Sequence, residues 1–420
     1  MGFSAALRRF EYILICATAF FLPFDFPLKN IGINLPFIKT FLELLIVLML
    51  FVWELIIIAQ RKLDIRLTPI AFPIAVFFIL HIYSSIFPSD MTVWSLKYTF
   101  RLFGFGIIYF ILVNFIRDKK QIETVSVCLI SGACLAALFA IIQYFRPFGI
   151  VPVQNFFEDI VSKPFRVRGL FGWPTNMAVF LGTLLPFLFT AVFYSGKDRM
   201  HVLMKIFYSL TIIMILASLF LSRTRGWAAG LFLGMSVLWV IVLLRQKEYV
   251  TLVTVAFILF ALVVLFFVTG VHHIVIGKLE PSELFRRKLT RDAVFFFSQH
   301  PFKGLGPDMF YWKVPYHFRT HNMLLETLVN LGIPGLAVLA WFICTLFLFI
   351  SKGIVKAAAP LKDRYLQLGV IVSLAAFIGH NAVDYFWHVT EILGLFWMLA
   401  GLGACLSIFE SAPGKAESTL

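Results

Sequence analysis

Apolar residues occur along this chain in blocks of about twenty, separated by short polar stretches. A helix needs about 20 predominantly apolar residues to cross a hydrocarbon core about 30 Å thick. About twelve blocks meet that length: roughly 10–27, 38–59, 68–87, 95–116, 122–145, 174–194, 202–221, 226–244, 250–270, 321–351, 365–386 and 390–409. The pattern predicts an all-α polytopic membrane protein with about 12 transmembrane helices. The stretch 283–298 differs in kind. Its apolar members are Phe285, Leu289, Val294 and Phe296, and Arg287 and Arg291, four apart, share one face. That spacing predicts a surface helix. "GIPG" at 332–335 interrupts the block that begins at His321 and predicts a broken, cavity-lining helix.

The polar connections set an orientation. With the N-terminus inside, the cytoplasmic loops are "RKLDIR" at 61–66, "RDKK" at 117–120, "GKDRMHVLMK" at 196–205, "RQK" at 245–247 and "KDR" at 362–364. Each carries at least two Lys or Arg, whereas the short outer loops at 87–94 and 387–390 carry none. Cationic loops stay on the cytoplasmic side, so both termini are expected there. Arg8 and Arg9 precede the first apolar block as in a signal peptide. Phe20, Phe21 and Pro23 stand where a small-residue cleavage site would fall, so an uncleaved first span is expected. The expected organisation is an N-terminal helical part at 1–145, a loop and helices at 146–270, a large, partly helical periplasmic loop at 271–320, further helices at 321–409 and a cytoplasmic tail at 410–420.

Composition strengthens the membrane assignment. The chain is 60% hydrophobic and only 14% charged, against about 45–50% and about 25% in soluble domains. A net charge of +14 would suggest nucleic acid in a soluble protein. Here loop bias accounts for it, and no nucleic-acid partner is expected. The five cysteines sit in apolar runs without a C-x-x-C pair and read as small core hydrophobes.

Some cations fall on the unexpected side. Residues 146–173 carry Arg146, Lys163, Arg166 and Arg168, and residues 271–320 carry eight Lys or Arg against four acids. "SRTRG" at 222–226 places Arg223 and Arg225 in a tight turn at the bilayer boundary. Solvated or interfacial loops are one reading, and an outward-facing anion site is the other. In "FRVRGLFGWPTNMAVF" at 165–180, Pro174 suits a helix start and Asn176 a cap. Guanidinium groups beside a helix N-terminus suit an anionic head group, as snorkelling arginines suit a re-entry loop. His321 has Arg319 just outside it and Glu326 just inside, with Asn322 adjacent. "GHNAVDYFWHVTE" at 379–391 spaces His380, Asp384 and His388 four apart, which predicts one face of one helix. A hydrogen-bonded seam is favoured there over a metal site.

Three stretches in order, "SRTRGWAAG", "R…HPFKGLGPDMF" and "HNMLLETLVNLGIPG", resemble the O-antigen ligase/polymerase superfamily. "RVRGLFGWPTN" also looks like its segment that often reads R-x-x-G-x-F-x-N-P-N, with Trp173 and Thr175 departing from the pattern. The resemblance covers roughly residues 160–400. It implies a metal-independent glycosyltransferase, without cofactor, on the periplasmic face of a Gram-negative inner membrane. An O-antigen ligase of this kind moves a glycan from undecaprenyl diphosphate to a lipid A–core sugar hydroxyl, with membrane lipids as surroundings. A Wzy-type polymerase uses a second lipid-linked repeat as acceptor instead.

By this resemblance His321 takes the place of the essential histidine and acts as general base. Arg286 matches the arginine of the large loop, with Arg291 one turn further on. Arg223 or Arg225 matches the turn arginine, and Arg168 or Arg166 the upstream one. Together they are expected to hold the donor diphosphate, with Arg319, Asn322 and Glu326 in support. A transporter or flippase of lipid-linked glycans would place its charges at the bilayer midplane between repeats. Here they cluster at one surface and the two halves do not look like inverted copies.

Overall fold

A computed structural model describes residues 2–35, 38–87, 91–145, 166–192, 199–224, 226–245, 281–356 and 364–410. Among them the chain is helix and connecting loop, with no strand beyond one isolated bridge between Pro27 and Thr40. The protein is an all-α, multi-pass membrane protein. Seven helices among the described residues are long and apolar enough to cross a bilayer, and three shorter apolar helices accompany them. The expected span at 250–270, residues 146–165 of the loop expected at 146–173, residues 271–280 of the large loop and the tail from 411 lie outside the described residues.

The helices are α1 (Gly2–Phe21), α2 (Phe41–Gln60), α3 (Ala71–Ser85), α4 (Thr92–Gly104), α5 (Ile107–Phe115), α6 (Lys119–Tyr144), α7 (Pro174–Val192), α8 (Arg199–Ser222) and α9 (Gly226–Arg245). They continue as α10 (Pro281–Gln299), α11 (Met309–Lys313), α12 (Met323–Lys356), α13 (Tyr365–Asn381) and α14 (Thr390–Glu410). Local chemistry explains several starts. Thr40 and Glu43 form a reciprocal capping box before α2. Asp118 accepts from the Gln121 N–H at 2.8 Å and caps α6. Pro174 opens α7, as its sequence position predicts.

Three boundaries differ from expectation. The block at 95–116 is two helices, parted at Gly104–Gly106. The block at 365–386 ends at Asn381, in a turn before Phe386. The basic surface helix runs Pro281–Gln299; Leu289 and Ala293 are its buried residues, while Val294 faces outward.

Helices apolar all round are either wrapped by neighbours or face lipid. α7, α13 and α14 are wrapped, whereas α2, α8 and α12 keep most of their surface outward. α9 lies against α13 through Gly230 and Gly234. A Cβ at Gly230 would sit 2.5 Å from the Ala376 carbonyl oxygen, so only glycine permits this approach. The same contact carries the 222–226 turn up to His380.

α12 is broken where the sequence suggests. Gly332 has φ 69° and ψ −168°, outside helical space. At the break the loop after α10 docks through backbone bonds. The Leu305 N–H donates to the Val329 carbonyl at 3.0 Å, the Gly306 N–H to Asn330 at 2.9 Å, and the Ile333 N–H to Pro301 at 2.8 Å. A Cβ at Gly332 would meet the Pro301 and Phe302 carbonyl oxygens at 2.6 Å. Gly332→Ala is therefore expected to cost about 2 kcal/mol or more through strain and clash, seen as a lower melting temperature of the detergent-solubilised protein. An unchanged melting temperature would contradict the tight docking.

Candidate functional site

His321 sits two residues before α12 with φ 55°, a left-handed backbone unusual for a non-glycine residue. Several bonds hold this turn. Asn322 accepts from the Leu325 N–H at 2.9 Å, capping α12, and donates to the Ala382 carbonyl at 2.6 Å. Glu326, almost fully buried, accepts from the Thr320 N–H and from Asn330, both at 2.8 Å. Asn330 in turn accepts from the Phe310 N–H at 3.0 Å. Asn322 and Glu326 are thus builders of the turn that presents His321.

The imidazole has a carboxylate partner. His321 Nδ1–H donates to Asp384 Oδ1 at 2.6 Å. A carboxylate only accepts, so the proton is assigned to Nδ1, which leaves Nε2 as an acceptor. The other Asp384 oxygen lies 3.7 Å from Arg286 Nη2, and the Arg286 side chain is half exposed. Burial pushes the Asp384 carboxyl up. The His321 bond and charge, the Tyr385 N–H and Arg286 outweigh it and hold the pKa below its ordinary value. A depressed carboxylate pKa adds stability that is present above about pH 4 and lost only as pH falls through the lower folded value. The His–Asp pair is therefore intact at neutral pH.

The upstream arginines are held by bonds of their own. Arg166 donates to the Ser222 carbonyl at 2.8 Å and to Thr224 Oγ1 at 2.9 Å. It thereby clamps the 222–224 turn, where Arg223 is exposed with φ 50°. Burial and the neighbouring Arg223 charge lower the Arg166 pKa. Arg168 bonds the Gly172 carbonyl at 3.1 Å and is tied through its N–H to Gln143. Gly226 at the foot of this turn abuts His380, whose carbonyl accepts the Asp384 N–H at 3.0 Å. Arg225 lies outside the described residues. Arg291 is exposed on α10.

Arg319 is differently placed. Its Nη2 and Nε lie 2.8 and 2.9 Å from Asp308 Oδ1, and the guanidinium stacks over Tyr311 at 4.8 Å. Burial works against its charge, but Asp308 and the nearby Tyr98 and Glu326 raise its pKa overall. This arginine is committed to the fold.

The sequence pattern at 380–388 misleads in one respect and points to the missing residue in another. Because α13 ends at Asn381, His380, Asp384 and His388 do not share a helix face. They do not form a metal-binding group among the described residues. His388 Nδ1 is buried without a partner and the ring stacks on Tyr385. Burial, then Arg319, Arg101 and His321, keep its pKa well below normal. Asp384 was legible as a polar residue near the outer end of a helix. Its pairing with His321 across 63 residues was not.

The fold is that of a multi-pass membrane protein, and the site is a histidine–carboxylate pair with one arginine beside it. Residues 210–340 match the O-antigen ligase family model, so this part of the chain is similar to that family. The matched stretch includes Arg223, Arg286 and His321, while Arg166, Arg168 and Asp384 fall outside it. No curated protein matches the chain.

Arg319→Ala is expected to destabilise the fold by about 3 kcal/mol, because it leaves the buried Asp308 without its cation. Arg319→Ala with Asp308→Asn should recover part of that loss in a thermal melt. An Arg319→Ala variant that melts normally would return this side chain to the ligand-binding set.

Proposed function

We propose that the chain is an O-antigen ligase that moves a glycan from undecaprenyl diphosphate to a lipid A–core sugar hydroxyl at the periplasmic face. The observation that carries this reading is the His321–Asp384 pair with the half-exposed Arg286 beside it.

A sugar hydroxyl is a poor nucleophile at neutral pH. His321 Nε2 takes its proton as the oxygen attacks the anomeric carbon, and Asp384 stabilises the imidazolium that forms. The bond from the anomeric carbon to the diphosphate oxygen breaks, and its electron pair leaves with undecaprenyl diphosphate. Arg286 and Arg223, with Arg168 upstream, meet that charge. Guanidinium forks suit phosphate oxygens and remain charged at any working pH. Attack opposite the leaving group inverts the anomeric centre. A separation of 3.7 Å is longer than a hydrogen bond, so Arg286 is not bound tightly to Asp384 and remains available to the donor. Arg166, clamped to the 222–224 turn, positions Arg223.

Support also comes from where these side chains lie. His321 and Arg286 meet on the two oxygens of one carboxylate, whereas a repeat-built transporter would place its charges at its midplane.

Reconstitution with a lipid-diphosphate glycan and two acceptors in parallel, lipid A–core and a second lipid-linked repeat, tests the assignment. A glycan–lipid A–core product is expected; a lengthened lipid-linked glycan would make the protein a Wzy-type polymerase. His321→Ala should abolish transfer and leave donor binding within a few-fold of normal. Asp384→Asn should lower kcat at least about hundredfold, within the range of general-base losses. Arg286→Ala should weaken donor binding and transfer together, with Lys an incomplete replacement. Normal transfer by His321→Ala would falsify the base assignment.

A further inference from the structure

A second polar site lies at the other end of the bundle. α4 and α5 together run 24 residues from Thr92 to Phe115, which is about 36 Å at 1.5 Å per residue. Near their start, Ser95 Oγ donates to the Pro307 carbonyl at 2.9 Å, beside the loop that docks on α12. Their far end borders a cavity of about 70 Å³, room for more than one water-sized group.

Arg8 of α1, Arg66 of the loop after α2 and Arg117 after α5 converge on this cavity. Arg8 donates to Gln60 Oε1 at 3.1 Å. Arg66 and Arg117 are anchored through their backbone N–H groups, to Asn114 Oδ1 at 2.6 Å and Gln121 Oε1 at 2.7 Å. Among the described residues neither guanidinium makes a hydrogen bond or ion pair. The acid lining the cavity, Asp64, pairs with Lys62 at 3.4 Å. Burial, followed by the charges of Arg8 and Arg66, lowers the Arg117 pKa, with the nearby Asp64 charge acting in the opposite direction. Three like charges are thus held together by bonds that leave two forks open.

The lining is mostly polar, and its smaller apolar part comes from Trp53, Ile56, Ile57 and Phe115, with Trp53 and Phe115 edge to face at 5.9 Å. We propose that this cavity binds the phosphate of an anionic lipid head group, gripped by Arg8, Arg66 and Arg117, with the lipid's glycerol and first methylenes against Trp53 and Phe115. Basic pockets between membrane helices take such head groups, and the guanidinium fork matches phosphate geometry. A soluble phosphate compound shares the recognition chemistry but would gain nothing from the apolar wall.

The test uses the purified full-length protein in neutral detergent. Phosphatidylglycerol, phosphatidylcholine of the same chain length and inorganic phosphate are titrated separately, read by native mass spectrometry and by melting temperature. Phosphatidylglycerol should bind and raise the melting temperature, with phosphatidylcholine much weaker. Arg66→Gln with Arg117→Gln should weaken phosphatidylglycerol binding roughly 25-fold, about fivefold per arginine. Arg117→Lys, which keeps the charge and loses the fork, should fall between. Lipid-free melting temperatures of the variants report whether the fold is intact. Inorganic phosphate acting as strongly as the lipid would keep the phosphate chemistry but assign the site to a soluble ligand. Equal phosphatidylglycerol binding by wild type, the double variant and Arg117→Lys would overturn the proposal and leave these arginines as loop charges alone.

Discussion

The backbone bonds between residues 301–306 and 329–333 are the constraint on which the site depends. A broken helix in a membrane exposes peptide groups that lipid cannot satisfy. Here the loop after α10 satisfies them, and Gly304 and Gly332 allow the two backbones to approach. Ser84 adds a bond from α3 to the Lys303 carbonyl at 2.7 Å. That docking fixes the C-terminal end of α10. Leu289 and Ala293 then bury the helix against the loop cluster, which leaves Arg286 facing Asp384. The same broken helix begins at the turn that carries His321. One set of backbone bonds therefore relates the arginine to the histidine.

The polar residues divide by what already occupies them. Arg319 and Arg166 have their donors engaged by protein acceptors at 2.8–2.9 Å. Glu326 and Asn322 are consumed in building the His321 turn. Arg286 and Arg223 keep exposed guanidinium groups. Buried polar groups must be paired by the protein itself, so the first set belongs to the fold. The second set is available to a ligand.

Much of this was legible in the chain. Blocks of apolar residues gave the helical membrane architecture, the "GIPG" break fell where Gly332 departs from helix, and Pro174 began its helix. The family resemblance singled out His321 and Arg286, and the structure brings both to Asp384. What could not be read was the end of α13. Nothing in "GHNAVDYFW" stops the apolar pattern at Asn381, so helical spacing assigned Asp384 to the wrong partners. Its true partner depends on a turn closed by Asn322 donating to the Ala382 carbonyl, a contact between distant segments. Local periodicity likewise says nothing about which arginine finds an acid, and so could not separate Arg319 from Arg286.

Charge balance ties the geometry to the proposed chemistry. A carboxylate as enclosed as Asp384 is stable only beside positive charge or hydrogen-bond donors. Without substrate it has the His321 N–H on one oxygen and Arg286 near the other. On the proposed reading, an arriving diphosphate competes for Arg286 and weakens its hold on Asp384. That loss makes the carboxylate a better partner for an imidazolium, at the moment when His321 takes a proton. The transition state then holds two neighbouring pairs, imidazolium with carboxylate and guanidinium with phosphate, where the resting site held one. On that reading donor binding and proton transfer are linked through a single side chain. The loose 3.7 Å contact is what permits this exchange; a bidentate Arg286–Asp384 pair would hold the arginine away from the phosphate.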